Sequence, residues 1–171
     1  MSVEQTKDRC RLIRDKLRNV NQLLEDYLNH THLGILLDEE PGGEEQEMYL
    51  KEFLSDLRHL SVSCELRYEK VSLLLRRAHF NEESAERILK EMVHTSIHHF
   101  FYPKNEVYEE DSRCSYTNRD PIQFRGNPPS SLKRLVIRLS AIFVELREEL
   151  ECYEQDTHTR IQWQGARLST S

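Results

Sequence analysis

Three side chains of metal-binding type, Glu91, His94 and His98, recur at intervals of three and four residues. Residues at these intervals share one face of an α-helix, and Glu-x-x-His pairs bind metal in carboxylate-bridged di-metal bundles. Such a centre needs a second Glu-x-x-His and further core glutamates, which the sequence does not offer. Exposed histidines near a helix C-terminus are the simpler interpretation, so we expect no metal and no cofactor. A mononuclear site would need another histidine, for which the candidates are His30, His32 and His158.

A second catalytic hypothesis uses Arg87 and His94, which six residues separate. This spacing resembles that of helical ribonucleases of the HEPN superfamily, in which Arg and His act on RNA across a dimer. In a chain with 24 Lys and Arg and eight His, the spacing alone discriminates poorly. Motifs for acyl transfer or nucleotide hydrolysis are missing from the sequence. A metal-dependent or ribonuclease-like enzyme therefore stays an alternative only.

Arginine and aromatic residues alternate in a segment without helical periodicity. A mixture of this kind can hold phosphates while stacking bases, and Arg and Tyr also dominate many protein interfaces. We predict a non-enzymatic protein-interaction module whose contact residues are Arg113, Tyr116, Arg119, Phe124 and Arg125. Two alternatives are open: nucleic-acid binding through segment 113–138, and internal pairing of the arginines with the acids Glu106, Glu109, Glu110 and Asp111.

Charge is unevenly distributed along the 171 residues. The formal net charge is −6, which disfavours attraction of the whole protein to nucleic acid. Segment 113–138 nevertheless contains six basic residues and one acid, a local charge of +5, whereas segment 38–47 is strongly acidic. The sequence shows neither a secretory signal nor an apolar run long enough for a membrane span, so we expect a cytoplasmic protein.

Helical periodicity accounts for most of the chain. With only five glycines and five prolines, the composition suits one helix-rich domain over residues 1–171. Apolar stripes predict helices over about 3–29, 44–79, 81–103 and 130–153, the third beginning at an Asn81 cap. We predict an all-α fold, an antiparallel four-helix bundle with a small insertion between the third and fourth helices. Its core should include Leu17, Leu57, Leu89 and Leu139.

The connection from Tyr102 to Pro129 is too long for a simple linker in a compact domain. Alternating residues predict a β-hairpin with strands over 113–117 and 121–125 around the turn 118–121. Alternation over 159–164 predicts a third strand, followed by a flexible tail over 165–171.

Several polar or reactive residues fall on the predicted apolar stripes. Arg67 interrupts the second stripe, and we expect it to extend from an edge of the core toward solvent. Cys10, Cys64 and Cys152 occupy apolar helical positions and are predicted to be small core residues. Cys114 lies in the insertion, where a structural role is expected.

The segments Tyr102-Pro-Lys-Asn-Glu106 and Glu110-Asp-Ser-Arg113 resemble the YpuI-like family of small uncharacterised proteins from Bacillus and its relatives. The resemblance extends to the overall length and to the helix, loop and helix arrangement. It implies a cytoplasmic protein of a Gram-positive bacterium, and it implies no activity and no catalytic residues.

Overall fold

The computed structural model describes residues 2–105, 109–110 and 122–168 and the side chains of residues 2–105 and 122–153. The described part is mostly helical, which confirms the all-α prediction. The elements in chain order are α1 (Val3–His30), α2 (Leu33–Glu39), α3 (Glu44–Arg76), α4 (Glu82–Met92), a π-helical segment (Val93–Ile97), α5 (His98–Phe101), β1 (Glu109–Glu110), β2 (Ile122–Gln123) and α6 (Ser130–Leu168).

Helix α1 begins at a capping box. The Ser2 side chain accepts from the Gln5 N–H, and the Gln5 side chain accepts from the Ser2 N–H, which satisfies two otherwise unpaired backbone donors. Along the helix, one stripe of residues is fully buried: Cys10, Ile13, Leu17, Val20 and Leu24. The intervals of three and four residues between them keep these side chains on one face.

The short apolar stretch after α1 forms helix α2. The His32 ring nitrogen accepts from the Gly34 N–H and caps its N-terminus. Leu36 is fully buried and joins α2 to the core. The helix ends before Pro41, because proline disfavours helical conformation in the residue preceding it.

Two helix pairs run antiparallel. Between α3 and the α4 region, Ser63 contacts Ser96 and Lys70 contacts Glu91. The later residue of α3 thus contacts the earlier residue of the α4 region, as expected for antiparallel helices. Between α1 and α6, the Tyr27 hydroxyl lies 3.1 Å from the Ser131 hydroxyl, and Lys16 pairs with Glu145.

The core is continuous across α1, α3, α4 and α6. Leu17, Leu57, Leu89 and Leu139 are all buried, as predicted. The rings of Phe100 and Phe143 stack with centroids 4.3 Å apart. Among the described helices, none combines the length and the apolar character that crossing a membrane requires.

The β-structure differs from the prediction. β2 falls inside the predicted strand 121–125, but it pairs antiparallel with β1, Glu109 opposite Gln123. The predicted partner, 113–117, lies outside the described residues. Burial of Ile122 fixes which face of this ladder meets the core.

The predicted third strand over 159–164 is wrong, because α6 continues through Leu168. No proline or glycine interrupts α6 before Gly165. A helix satisfies its backbone hydrogen bonds within the segment, whereas an added strand would need a free sheet edge. The predicted flexible tail over 165–171 therefore begins inside this helix, and residues 169–171 lie outside the described residues.

Truncation of a fully buried stripe residue should test this packing. We expect Leu17→Ala to lower the free energy of unfolding by about 2–5 kcal/mol, because it removes buried methyl groups and leaves a cavity. Leu12→Ala on the exposed side of the same helix is the matched control and should cost less than about 1 kcal/mol. Urea unfolding monitored by circular dichroism measures both, and equal losses would contradict the assigned faces.

Candidate functional site

The insertion leaves the helical domain at a fixed point on α3. The Asn105 backbone N–H donates to Asp56 Oδ2 at 3.0 Å, and its side-chain amide donates to Asp56 Oδ1 at 2.9 Å. Asp56 is buried, so these bonds satisfy a carboxylate that would otherwise be costly to bury. We call this contact, together with residues 124–127, the insertion base.

The second half of the insertion base uses two of the predicted contact residues. The Phe124 ring stacks on Phe53 with centroids 6.1 Å apart. Arg125 Nη2 donates to Glu52 Oε2 at 3.1 Å, and its guanidinium lies 5.8 Å from the ring centroid of Tyr49. Arg125 thus pairs with an acid of α3, whereas the side chains of the acids that the internal-pairing alternative uses lie outside the described residues.

Close packing continues into the next two residues. A Cβ at Gly126 would lie 2.8 Å from the Tyr49 ring, so this backbone approach requires glycine. The Asn127 side chain donates to Glu40 at 2.8 Å, and the Gln46 side chain donates to the Asn127 carbonyl at 3.2 Å. Residues of the acidic segment 38–47 therefore contact residue 127, which belongs to the described part of the basic segment 113–138.

The other three predicted contact residues, Arg113, Tyr116 and Arg119, lie outside the described residues, as does Cys114. The chain that carries them starts at Asn105 and returns at Ile122, and both points are packed on the helical domain. The adjacent surface has a cavity of about 360 Å³ lined by Glu44, Glu45, Met48, Tyr49, Glu52 and Arg125.

The candidate metal face is organised differently from the sequence expectation. Glu91 Oε2 accepts from Arg67 at 3.0 Å and from Lys70 at 3.4 Å, so two cations already occupy this carboxylate. His94 is exposed, and the His98 ring packs on Tyr102 with centroids 5.1 Å apart. The π-helical segment lies between Glu91 and His98 and alters the spacing that placed them on one face. In the described part of the chain, no group of three or more His, Cys, Asp or Glu side chains could hold a metal ion.

Sequence reasoning missed the polar cluster around Arg67. This arginine does not extend to solvent but is 9% exposed, with Nε donating to Thr95 Oγ1 at 3.0 Å and Nη1 donating to Glu91. Thr95 in turn donates to the Glu91 carbonyl at 2.7 Å. The sequence contained one sign of this cluster, because Arg67 lies on an apolar stripe and the next helix has the polar pair Thr95-Ser96 among its apolar residues. A buried arginine needs such partners.

The two residues of the proposed ribonuclease pair differ in their relation to the cavity between α3 and α4. Arg87 lines a cavity of about 400 Å³ between α3 and α4, whereas His94 is not one of its lining residues. Lys70, Arg77 and Glu91 also line this cavity, and Lys70 pairs with Glu91 at 3.4 Å. In the described part of the chain, neither Arg77 nor Arg87 forms an ion pair. We call it the basic cavity.

Titratable groups at the core report burial. Burial raises the pKa of Cys10 to about 11 and that of Cys64 to about 12. At the surface, partial burial lowers the pKa of the exposed His99, and the neighbouring His98, His59 and Arg67 act in the same direction. The prediction for Cys152 is wrong: this thiol is exposed, with Arg9 Nη1 3.4 Å from its sulfur. Position 152 falls at the boundary of the α6 apolar face, which sequence periodicity defines only approximately.

Comparison with known proteins gives two matches. The family described as Protein of unknown function (DUF3907) matches residues 10–159. The uncharacterized protein YpuI of Bacillus subtilis (strain 168) is 40% identical over 138 residues, which cover 81% of this chain and 75% of that protein. No solved structure matches the chain. The resemblance carried by residues 102–113 is confirmed.

Loss of the Asp56 carboxylate should release the insertion base locally. We expect Asp56→Ala to cost about 1–3 kcal/mol, because the partly buried Asn105 donors lose their acceptor. Hydrogen exchange of the Asn105 amide should accelerate, while amides in the buried part of α1 stay protected. Asp38→Ala, at an exposed position, is the control. Unchanged exchange at Asn105 would contradict the anchoring role of Asp56.

Thiol reactivity should separate the three described cysteines. In a Cys114→Ser background, we expect a thiol reagent at about pH 8 to label Cys152 in the folded protein and all three after unfolding. Burial holds the pKa values of Cys10 and Cys64 in the folded protein above the unfolded value of about 8.5. The stabilisation that comes from keeping these buried thiols protonated is therefore complete below about pH 8.5. It is lost as pH rises through about 11 to 12. Rapid labelling of a second thiol in the folded protein would contradict this assignment.

Proposed function

Because the chain belongs to the family described as protein of unknown function (DUF3907), whose name carries no activity, we propose a function from the site itself. The protein is a non-enzymatic protein-interaction module, an antiparallel four-helix bundle that presents the insertion as its binding surface. The antiparallel pairs α1 with α6 and α3 with α4 support the bundle assignment. The cytoplasm is its proposed compartment, supported by free thiols at Cys10, Cys64 and Cys152.

The insertion base is the observation that carries this proposal. A connection between two helices needs only a few residues, yet this one spans residues 102–129 and is attached at both ends. Asp56 holds Asn105, and Phe53 and Glu52 hold Phe124 and Arg125. Attachment at both ends restricts the conformations of the intervening chain, and this lowers the entropy that a partner must remove on binding.

The five predicted residues take two roles in the proposal. Arg113, Tyr116 and Arg119 supply the direct contacts with the partner, since Arg and Tyr combine charge or hydrogen bonding with large contact area. Phe124 and Arg125 hold the return end of the insertion on α3 and border the partner. Arg125 remains about half exposed, so its outer edge can also contact a bound protein.

Nucleic acid is the competing partner, and the charge around the insertion base weighs against it. Glu40 contacts Asn127, Glu39 lies near the Ser131 backbone, and Glu52 pairs with Arg125. These acids reduce the positive potential next to segment 113–138, and phosphate binding depends on that potential. A protein partner, which carries both positive and negative side chains, fits these surroundings better than nucleic acid does.

The proposal is tested by charge reversal within the insertion. The tagged protein is used to capture partners from an extract of its source organism, and recovered proteins are quantified by mass spectrometry. We expect Arg113→Glu/Arg119→Glu to reduce the captured partner at least about tenfold, with unchanged helicity and melting temperature, because interface arginines are frequent hot spots. Arg11→Glu/Arg18→Glu, an equal charge change at exposed α1 positions, should retain it.

Three outcomes would count against this function. Equal capture by both double variants would place the binding surface elsewhere. Unfolding of Arg113→Glu/Arg119→Glu would favour internal pairing of these arginines. Capture that nuclease abolishes, and that falls steeply with salt, would favour nucleic acid over protein.

A further inference from the structure

The outer face of α3 carries an unusual set of exposed apolar side chains. They are Met48, Val62, Leu66 and Leu73, with exposures of 60%, 64%, 47% and 58%. At 3.6 residues per turn, the four lie within about 40° of each other around the helix. We call them the outer stripe. The inner face of α3 is meanwhile buried in the core, so this helix is apolar on two sides.

The spacing of the outer stripe is that of a helix-pairing seam. Met48 and Val62 are two heptads apart, Val62 and Leu66 are four residues apart, and Leu66 and Leu73 are one heptad apart. A period of 3.5 residues keeps a seam facing a second helix along its length. From Met48 to Leu73 the seam covers roughly 37 Å, enough for an extended contact.

The two ends of the outer stripe have opposite charge. Met48 lines the cavity that contains Glu44 and Glu45, in which Glu52 pairs with Arg125. Leu73 lines the basic cavity with Arg77 and Arg87, in which Lys70 pairs with Glu91. The face therefore contains both halves of a complementary pair. Two copies related by a two-fold axis would bring each acidic end against the basic end of the other copy.

We propose that the outer stripe is the interface of an antiparallel homodimer, with the two α3 helices packed against each other. The proposal does not use the partner of the insertion, although its acidic end adjoins Arg125 of the insertion base. The acidic end of each copy lies opposite the basic end of the other copy, where Arg76 and Arg77 end α3.

One register satisfies the apolar centre of this dimer. Placing Val62 against Leu66 of the second copy sets the two-fold axis between them and buries both pairs at the centre. The same register places Leu73 against Ser55, which is small and half-buried in the monomer. Apolar side chains at the centre of an interface lose the most water on association.

The same register also brings polar partners together at the two remaining seam positions. His59 faces Glu69 of the second copy, a carboxylate to which an imidazole N–H can donate, and Glu52, which pairs with Arg125 in its own chain, faces Arg76. The remaining flanking lysines are already neutralised within each chain, since Lys51 pairs with Glu47 at 2.8 Å and Lys70 pairs with Glu91. Parallel packing would instead set the acidic ends against each other, which is unfavourable because like charges repel.

Sedimentation velocity over a concentration series is the primary test. We expect wild-type protein to reach twice the mass of the 20.4 kDa chain. Val62→Glu/Leu66→Glu should raise the dimer Kd by about a hundredfold or more, because it places four carboxylates at the two-fold axis. Val3→Glu/Leu12→Glu, at exposed apolar positions of α1, should leave the Kd unchanged. Circular dichroism checks that each monomer is folded.

Charge reversal tests the orientation. Glu44→Arg/Glu45→Arg and Arg76→Glu/Arg77→Glu should each weaken their own homodimer, because both ends become repulsive. An equal mixture of the two variants should form a tight heterodimer, because both ends become complementary again. A parallel arrangement would not give this rescue.

Two results would overturn the proposal. Wild-type protein that stays monomeric at every concentration would assign the outer stripe to a helix of another protein or to a segment of its own chain. A dimer insensitive to Val62→Glu/Leu66→Glu would place the interface on another face. Neither result bears on the insertion, whose test uses different residues.

Discussion

The burial of one face of α3 fixes the directions in which the remaining polar and apolar side chains of this helix point. Its inner stripe, from Leu50 to Leu74, packs in the common core and sets the rotation of the helix about its axis. A rotation by one residue, about 100°, would expose core side chains and bury charges. With the rotation fixed, Asp56 faces the insertion, Arg67 faces the π-helical segment, and the outer stripe faces away from the core.

Both buried charges of α3 lie opposite irregular backbone. Asp56 meets Asn105 where the chain leaves α5, and Arg67 meets Thr95 inside the π-helical segment. Regular helices satisfy their own backbone groups, whereas irregular backbone has donors that need a side-chain acceptor. The insertion therefore begins where a carboxylate is available to fix it. The Arg67 cluster similarly joins α3 to the widened turn, a feature that often accompanies function in other proteins.

Charge is balanced locally and not over the whole chain. Acids of segment 38–47 lie beside the described part of the basic segment 113–138, where Asn127 donates to Glu40. The basic cavity, by contrast, contains Arg77 and Arg87 at the opposite end of α3. Formal net charge of −6 describes neither region, and specific association depends on these local differences.

Local sequence was enough to predict where the four main helices begin, which of their faces are buried and where the insertion lies. Residues such as Leu17 and Leu89 could be assigned because helical periodicity and caps such as Asn81 are local properties of the chain. Tertiary structure alone decided the surroundings of residues at the edges of those stripes. Arg67 became buried because Glu91 and Thr95 meet its hydrogen-bonding needs. Cys152 became exposed because it lies at the edge of the α6 face whose residues Leu150 and Tyr153 pack on the core. Local sequence likewise did not predict that Ile122 pairs with Glu110 or that residues 159–164 are helical. Each depends on which distant groups satisfy the backbone and cover the apolar surface, and one-dimensional spacing does not contain that information.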